Sequence, residues 1–185
     1  MEAAYSYFCS QLPALLPGMA APMTLAEFDG KLGFLPVRDA EYIVTCSFPP
    51  DWKAVFPPGS AAEIFRNFEG ALRREIALLR LAKRGGDAAN RLPEGFSEPG
   101  LKDEVARAAS APNPLAREKS LNELRWRALD EAEQGRSFTR EAAACYRMKL
   151  ALLQKMQSFI ADAGKTNFEA AAGEIDRKSA GYSEG

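Results

Sequence analysis

The chain has 185 residues, of which 46% are hydrophobic and 26% charged, and its formal net charge is -1. This length fits one domain able to bury roughly 70% of the surface its unfolded chain exposes, and the composition excludes global disorder. The near-neutral balance excludes a long-range field for nucleic acid or anionic lipid, so any such partner needs a local patch.

Residues 4–12 read either as a short extended segment or as an amphipathic turn, with Tyr5, Tyr7, Phe8 and Leu12 as buried candidates. Pro13, Pro17 and Pro22 make the following stretch a loop. A helix opens at Thr24, with Glu27 at capping-box spacing and Leu25, Phe28 and Leu32 on its apolar edge. Another short helix or turn covers roughly 37–46, carrying Tyr42 and Ile43. "SFPPDWKAVFPPGS" is a second proline-rich loop, in which Trp52 is expected to plug the loop onto the core.

Ser60 and Glu63 form a second capping box that starts a long helix over 60–84. Ile64, Phe65, Phe68, Leu72, Ile76 and Leu79 define its buried stripe, and Gly85-Gly86 stops it. Residues 85–100 are rich in Gly, Pro and polar side chains and read as a mobile loop, followed by a short helix around 101–109. Asn113 and Pro114 then cap and start a helix to about Glu133, presenting Leu115, Leu121, Leu124, Ala128 and Leu129. Only a few residues around Gly135 separate it from the next apolar run, Phe138 to Ala163, so 114–163 reads as an antiparallel helical hairpin.

The second arm carries one seam of Phe138, Ala142, Cys145, Leu152, Met156 and Phe159, widened by Tyr146, Leu150, Leu153 and Ile160. A stripe that broad meets more than one neighbour, namely the 114–133 and 60–84 helices. Gly164 ends it, Thr166 and Glu169 cap a terminal helix over 166–178, and residues 179–185 are expected to be a disordered tail. The fold class is therefore all-α: one domain over 1–178, a bundle of long amphipathic helices behind a proline-rich N-terminal segment of short helices and loops, 1–59.

No signal peptide is expected, because the start lacks a basic region and a sustained apolar run. No stretch reaches the ~18 consecutive apolar residues of a membrane helix. Cys9, Cys46 and Cys145 have neither disulfide-framework nor zinc spacing, and Cys145 is expected to pack as a small hydrophobe in a reducing compartment.

The chain has no histidine, no P-loop and no G-x-G-x-x-G. The glycines of "KRGGDAAN" follow a helix rather than precede one, the wrong polarity for phosphate. The acidic run "DEAE", 130–133, reads as solvated surface at a helix end. The expectation is no catalytic residue, no cofactor and no metal site; a carboxylate enzyme with 85–100 as its lid is the least favoured reading.

Arg66, Arg73 and Arg80 recur every seven positions and share a helical face, with Arg84 close by. Either this is a solvated face with Glu63 and Glu69 among its neighbours, or it grips phosphates or an acidic protein partner, of which the neutral overall balance favours the acidic protein. Trp126, near the edge of the hairpin stripe, is either a packing residue or an interface anchor. Arg66, Arg73, Arg80, Arg84 and Trp126 are thus the candidate partner-binding residues.

Three segments together carry a resemblance. "YSYFCSQLPALLPG...PMTLAEF" resembles the opening of small proteins encoded in bacterial V-type ATPase operons: an aromatic Y-x-Y run, S-L-P-like residues, then a P-x-(S/T)-x-x-E-F helix start. "FRNFEGALRREIALLRLAKRG" resembles their long E-x-x-L-R-x-x-(I/L) helix. "NPLAREKSLNELRWRALDE" with "FTREAAACYRMKLALLQKMQSFIADAGKTNFE" resembles their N-P-L-x-x-E, R-W and Y-x-x-K-L hairpin.

The same arrangement resembles part of the C/d subunit of rotary V/A-type ATPases, an all-helical funnel coupling the central rotor stalk to the membrane ring. The chain is much shorter and matches only a portion of that architecture. The resemblance implies a non-catalytic accessory or central-stalk-like subunit that acts in assembly or in coupling ATP hydrolysis or synthesis to ion transport. Its partners would be other ATPase subunits, and it would be cytoplasmic, held at the inner membrane through them. The alternative is a free-standing cytosolic helical adaptor or self-associating scaffold.

Overall fold

The computed structural model describes residues 2–85 and 98–158. Among them are seven α-helices and one turn of 3-10 helix, Leu32–Phe34, with no strand. The helices are α1 Glu2–Ser10, α2 Leu25–Lys31, α3 Val37–Thr45, α4 Ala61–Lys83, α5 Leu101–Ala109, α6 Pro114–Glu133 and α7 Arg140–Gln157. The all-α reading holds. The helix expected over 166–178, the tail at 179–185, Phe159, Ile160 and most of the 85–100 loop lie outside the described residues.

Local chemistry sets the helix ends. Thr24 Oγ1 accepts from the Glu27 amide at 3.1 Å while the Glu27 carboxylate accepts from the Thr24 amide at 2.7 Å, a complete capping box. At α4 the box is displaced: Ser60 Oγ accepts from the Glu63 amide, but the Glu63 carboxylate takes the Gly59 N–H at 2.6 Å. Asn113 Oδ1 accepts from the Ala116 amide, with Pro114 at the first helical position. Gly85 follows α4 at φ +69, a conformation that a side chain disfavours, and so stops the helix.

The core is organised around α7, which packs on α2, α3, α4 and α6. Ala142, Ala143, Ala144 and Cys145 are all buried, and their small side chains let four neighbours approach one helix. Leu150, Leu152 and Leu153 close its lower half. The contacts with α4 and α6 were expected from the breadth of the stripe; those with α2 and α3 were not. The α6–α7 hairpin is antiparallel, since Asp130 and Glu133 meet Lys149 while Glu118 meets Lys155.

Several expectations are corrected. Residues 2–10 are helical, with Tyr5 and Phe8 buried but Tyr7 exposed. Phe138 stands outside α7, which begins after the Thr139 N-cap; Phe138 is exposed at φ +55 and contributes nothing to the seam. Leu115 and Ile64 also face solvent. Trp52 does not plug its loop: it is 45% exposed, and Phe56 and Phe48 pack inward instead. Cys145 packs as expected, fully buried.

Candidate interaction surface

Among the described residues, four charged side chains whose chemical type suggests solvent are instead buried and cross-link the bundle. Glu69 of α4 is 0% exposed and lies between two arginines. Arg125 of α6 donates to it through Nε at 2.8 Å and through Nη2 at 3.3 Å, and Arg73 donates from one turn along α4 at 2.8 Å. The remaining nitrogen of Arg125, Nη1, reaches Asn122 at 2.7 Å and Glu118 at 3.3 Å, and the guanidinium lies over Phe48. Every edge of that guanidinium is thereby satisfied, the condition for carrying a charge inside.

On α7, Arg147 grips Asp29 of α2 bidentately at 2.8 and 2.9 Å and donates to the Cys46 carbonyl after α3. Lys149 is held by Asp130 at 2.6 Å and Glu133 at 2.5 Å, above the ring of Trp126. Asp130 and Glu131 of the "DEAE" run are exposed, as expected of a solvated helix end, and Asp130 with the partly exposed Glu133 also anchors a buried lysine. Glu141 accepts from Tyr42 and from the Ala61 amide, both at 2.8 Å, so α7 caps the positive end of α4.

Burial makes the charged form of several acids costly. It pushes the Cys46 and Cys145 thiols and the Tyr146 phenol each up to about 12. For Lys149 burial acts downward, but the hydrogen bonds it donates to Asp130 and Glu133 outweigh it and the pKa is raised. All four shifts have the same sign. A raised folded-state pKa stabilises fully below the unfolded value, and that stability is lost as pH rises through the folded one.

Stability measured as the denaturant midpoint is therefore expected to fall between pH 8 and 10, each buried thiol accounting for about 2 kcal/mol at pH 10 against an unfolded pKa near 8.5. Cys145→Ala is expected to flatten this alkaline limb. A midpoint unchanged over that range would contradict the assigned burial of both thiols.

The candidate partner residues do not form one site. Trp126 is 8% exposed, beneath Lys149, so it is a packing residue. It forms the floor of a groove of about 560 Å³ with Leu152, Leu153, Met156 and Met19. Arg66 turns into the loop before α4, donating to the Ala54 carbonyl at 2.6 Å and lying over Phe56. Arg80 and Arg84 are exposed, as is Lys83 between them, and none of the three pairs with a described residue. Arg73 is 47% exposed and lies 5.2 Å from the Trp52 ring. The structure adds Trp52 to the arginine face and turns Arg66 away from it, while Trp126, on the hairpin, takes the packing alternative.

Fold and site define an all-helical bundle cross-linked by buried ion pairs, with a cationic and aromatic outer face on α4. No helix among the described residues is long and apolar enough to cross a membrane. Comparison with protein-family models, curated proteins and solved structures finds no match to this chain.

Proposed function

We propose that the chain is a non-catalytic accessory or central-stalk-like subunit of a bacterial V-type rotary ATPase, acting in assembly or coupling. The observation that supports this reading is where the resembling motifs fall. Glu69 and Arg73 of the E-x-x-L-R motif, Glu118 of N-P-L-x-x-E, the Arg125-Trp126 pair and Lys149 of Y-x-x-K-L all belong to the network that ties α4, α6 and α7 together. These residues hold helix positions fixed, which suits a part that bears load or sets spacing between other subunits.

The test is capture of the tagged chain from gently solubilised native membranes at moderate salt. Recovery of several rotary-ATPase subunits in fixed ratio is the expected result. Recovery from the cytosol alone, with unrelated proteins or none, would sink the reading. That outcome would favour the adaptor or self-associating scaffold, whose support is the exposed pair Tyr7 and Phe34, edge to face at 5.4 Å, beside exposed Val37.

A further inference from the structure

From Arg73 to Arg84, α4 carries five cations against one carboxylate, in a chain whose net charge is -1. That carboxylate, Glu75, faces Arg74. The other nearby acid, Glu69, is fully buried and held by Arg125, so it does not screen the outer face. Arg73, Arg80, Lys83 and Arg84 share an arc of about 100° and a row roughly 16 Å long at 1.5 Å per residue.

Charge at the C-terminal end of a helix is ordinary, because it complements the macrodipole within the last turn. Arg80 and Lys83 lie in that last turn, but Arg73, almost three turns from the end, falls outside the explanation. Arg73 also lies over an indole that is itself 45% exposed, and Val55, in the same loop, is 94% exposed. Arg66 holds that loop against α4 through the Ala54 carbonyl. The result is a surface with two apolar projections at one end and, running away from them, Arg73, whose Nε is held by Glu69, then Arg80, Lys83 and Arg84, which pair with no described residue.

We infer that this face docks an acidic amphipathic helix of a protein partner, its apolar residues on Trp52 and Val55 and its carboxylates on Arg73, Arg80 and Arg84. Arg73, Arg80 and Arg84 follow one another at seven and four residues, both spacings of a single helix face, which matches carboxylates on another helix packed alongside. Guanidinium groups take carboxylates in bidentate geometry. Nucleic acid fits less well: one face of Trp52 is already covered by Arg73 rather than open to a base, and the chain lacks the overall positive charge that dominates phosphate binding. The inference stands apart from the rotary-ATPase reading, since it concerns what the face recognises and not which assembly supplies it.

The experiment uses the full chain and a fluorescein-labelled helical peptide with glutamates at the arginine spacing and leucines at one end, followed by anisotropy. The comparison probes are the same peptide with glutamine for glutamate, a single-stranded RNA, and phosphatidylcholine vesicles containing phosphatidylserine. The glutamate peptide is expected to bind, with salt-sensitive affinity, and the glutamine peptide to bind about tenfold more weakly or not at all.

Arg80→Glu combined with Arg84→Glu is expected to weaken binding by about tenfold or more, and Trp52→Ala severalfold. Both variants should retain the wild-type circular dichroism melt, because the altered side chains are exposed and Arg80 and Arg84 are unpaired among the described residues. Equal binding of the two peptides, unchanged affinity in the double variant, or preference for RNA or vesicles would each overturn the inference. None of these results bears on capture from membranes.

Discussion

Glu69→Gln is expected to lower stability by about 3 kcal/mol, which for a domain of this size is a melting temperature reduced by roughly 10 °C. The change removes a negative charge that is 0% exposed and leaves Arg125, whose side chain is 7% exposed, without its main counter-ion. The estimate lies at the lower end of the range for broken buried pairs because Asn122 and Glu118 still accept from Arg125. Arg73→Ala, by contrast, deletes a half-exposed partner of the same carboxylate and is expected to cost about 0.5 kcal/mol.

The decisive comparison is the double variant Glu69→Leu with Arg125→Met. An apolar pair of similar volume escapes the desolvation that the ion pair incurs, so it is expected to recover most or all of the loss. Thermal and denaturant melts of the three proteins check this. A double variant no more stable than Glu69→Gln would mean that the damage comes from packing rather than from a stranded charge. A single variant within about 1 kcal/mol of wild type would mean that Glu69 is hydrated in solution.

Glu69 also shows where sequence reading succeeds and where it slips. Its spacing from Arg66 and Arg73 makes it look like one member of a solvated charge ladder. Yet it is four residues after Phe65 and three before Leu72, both fully buried, so its phase lies inside the apolar stripe. Phase was the better guide than chemical type. Arg125, three residues before Ala128 and four before Leu129, gives the same signal on α6.

Helix ends were legible because caps and stops act through adjacent backbone: Thr24, Ser60, Asn113 and Gly85 each mark an end within one turn. The central position of α7 was only half legible. Its seam indicated α4 and α6, but burial of Arg147 depends on Asp29, 118 positions away in sequence. No local pattern announces such a partner. Trp52 escaped for the opposite reason, since an aromatic residue between prolines suggests burial and only the position of Arg73 reveals that it is held at the surface.

Phe28→Ala is expected to cost about 4 kcal/mol, a fall of roughly 12 °C, and to loosen the N-terminal helices before the rest of the bundle opens. Phe28 is completely buried, with Phe8 of α1 edge-on at 5.7 Å and Tyr146 of α7 stacked at 5.4 Å. It therefore joins three helices, and its loss removes two aromatic contacts as well as buried area. Asp29, the next residue, pins α2 to Arg147, but an ion pair with one partly exposed member is the weaker of the two fastenings. Amide hydrogen exchange should accordingly rise in α1 and α2 while α6 stays protected, because the buried pair between α4 and α6 is untouched. Phe28→Leu keeps most of the volume and is expected to cost less than half as much. Phe34→Ala, removing a ring that is exposed beside Tyr7, should change stability by no more than about 0.5 kcal/mol. If Phe28→Ala instead raised exchange evenly across all helices, α1 and α2 would be part of a single cooperative unit with α7, and the N-terminal segment would open only when the whole bundle does.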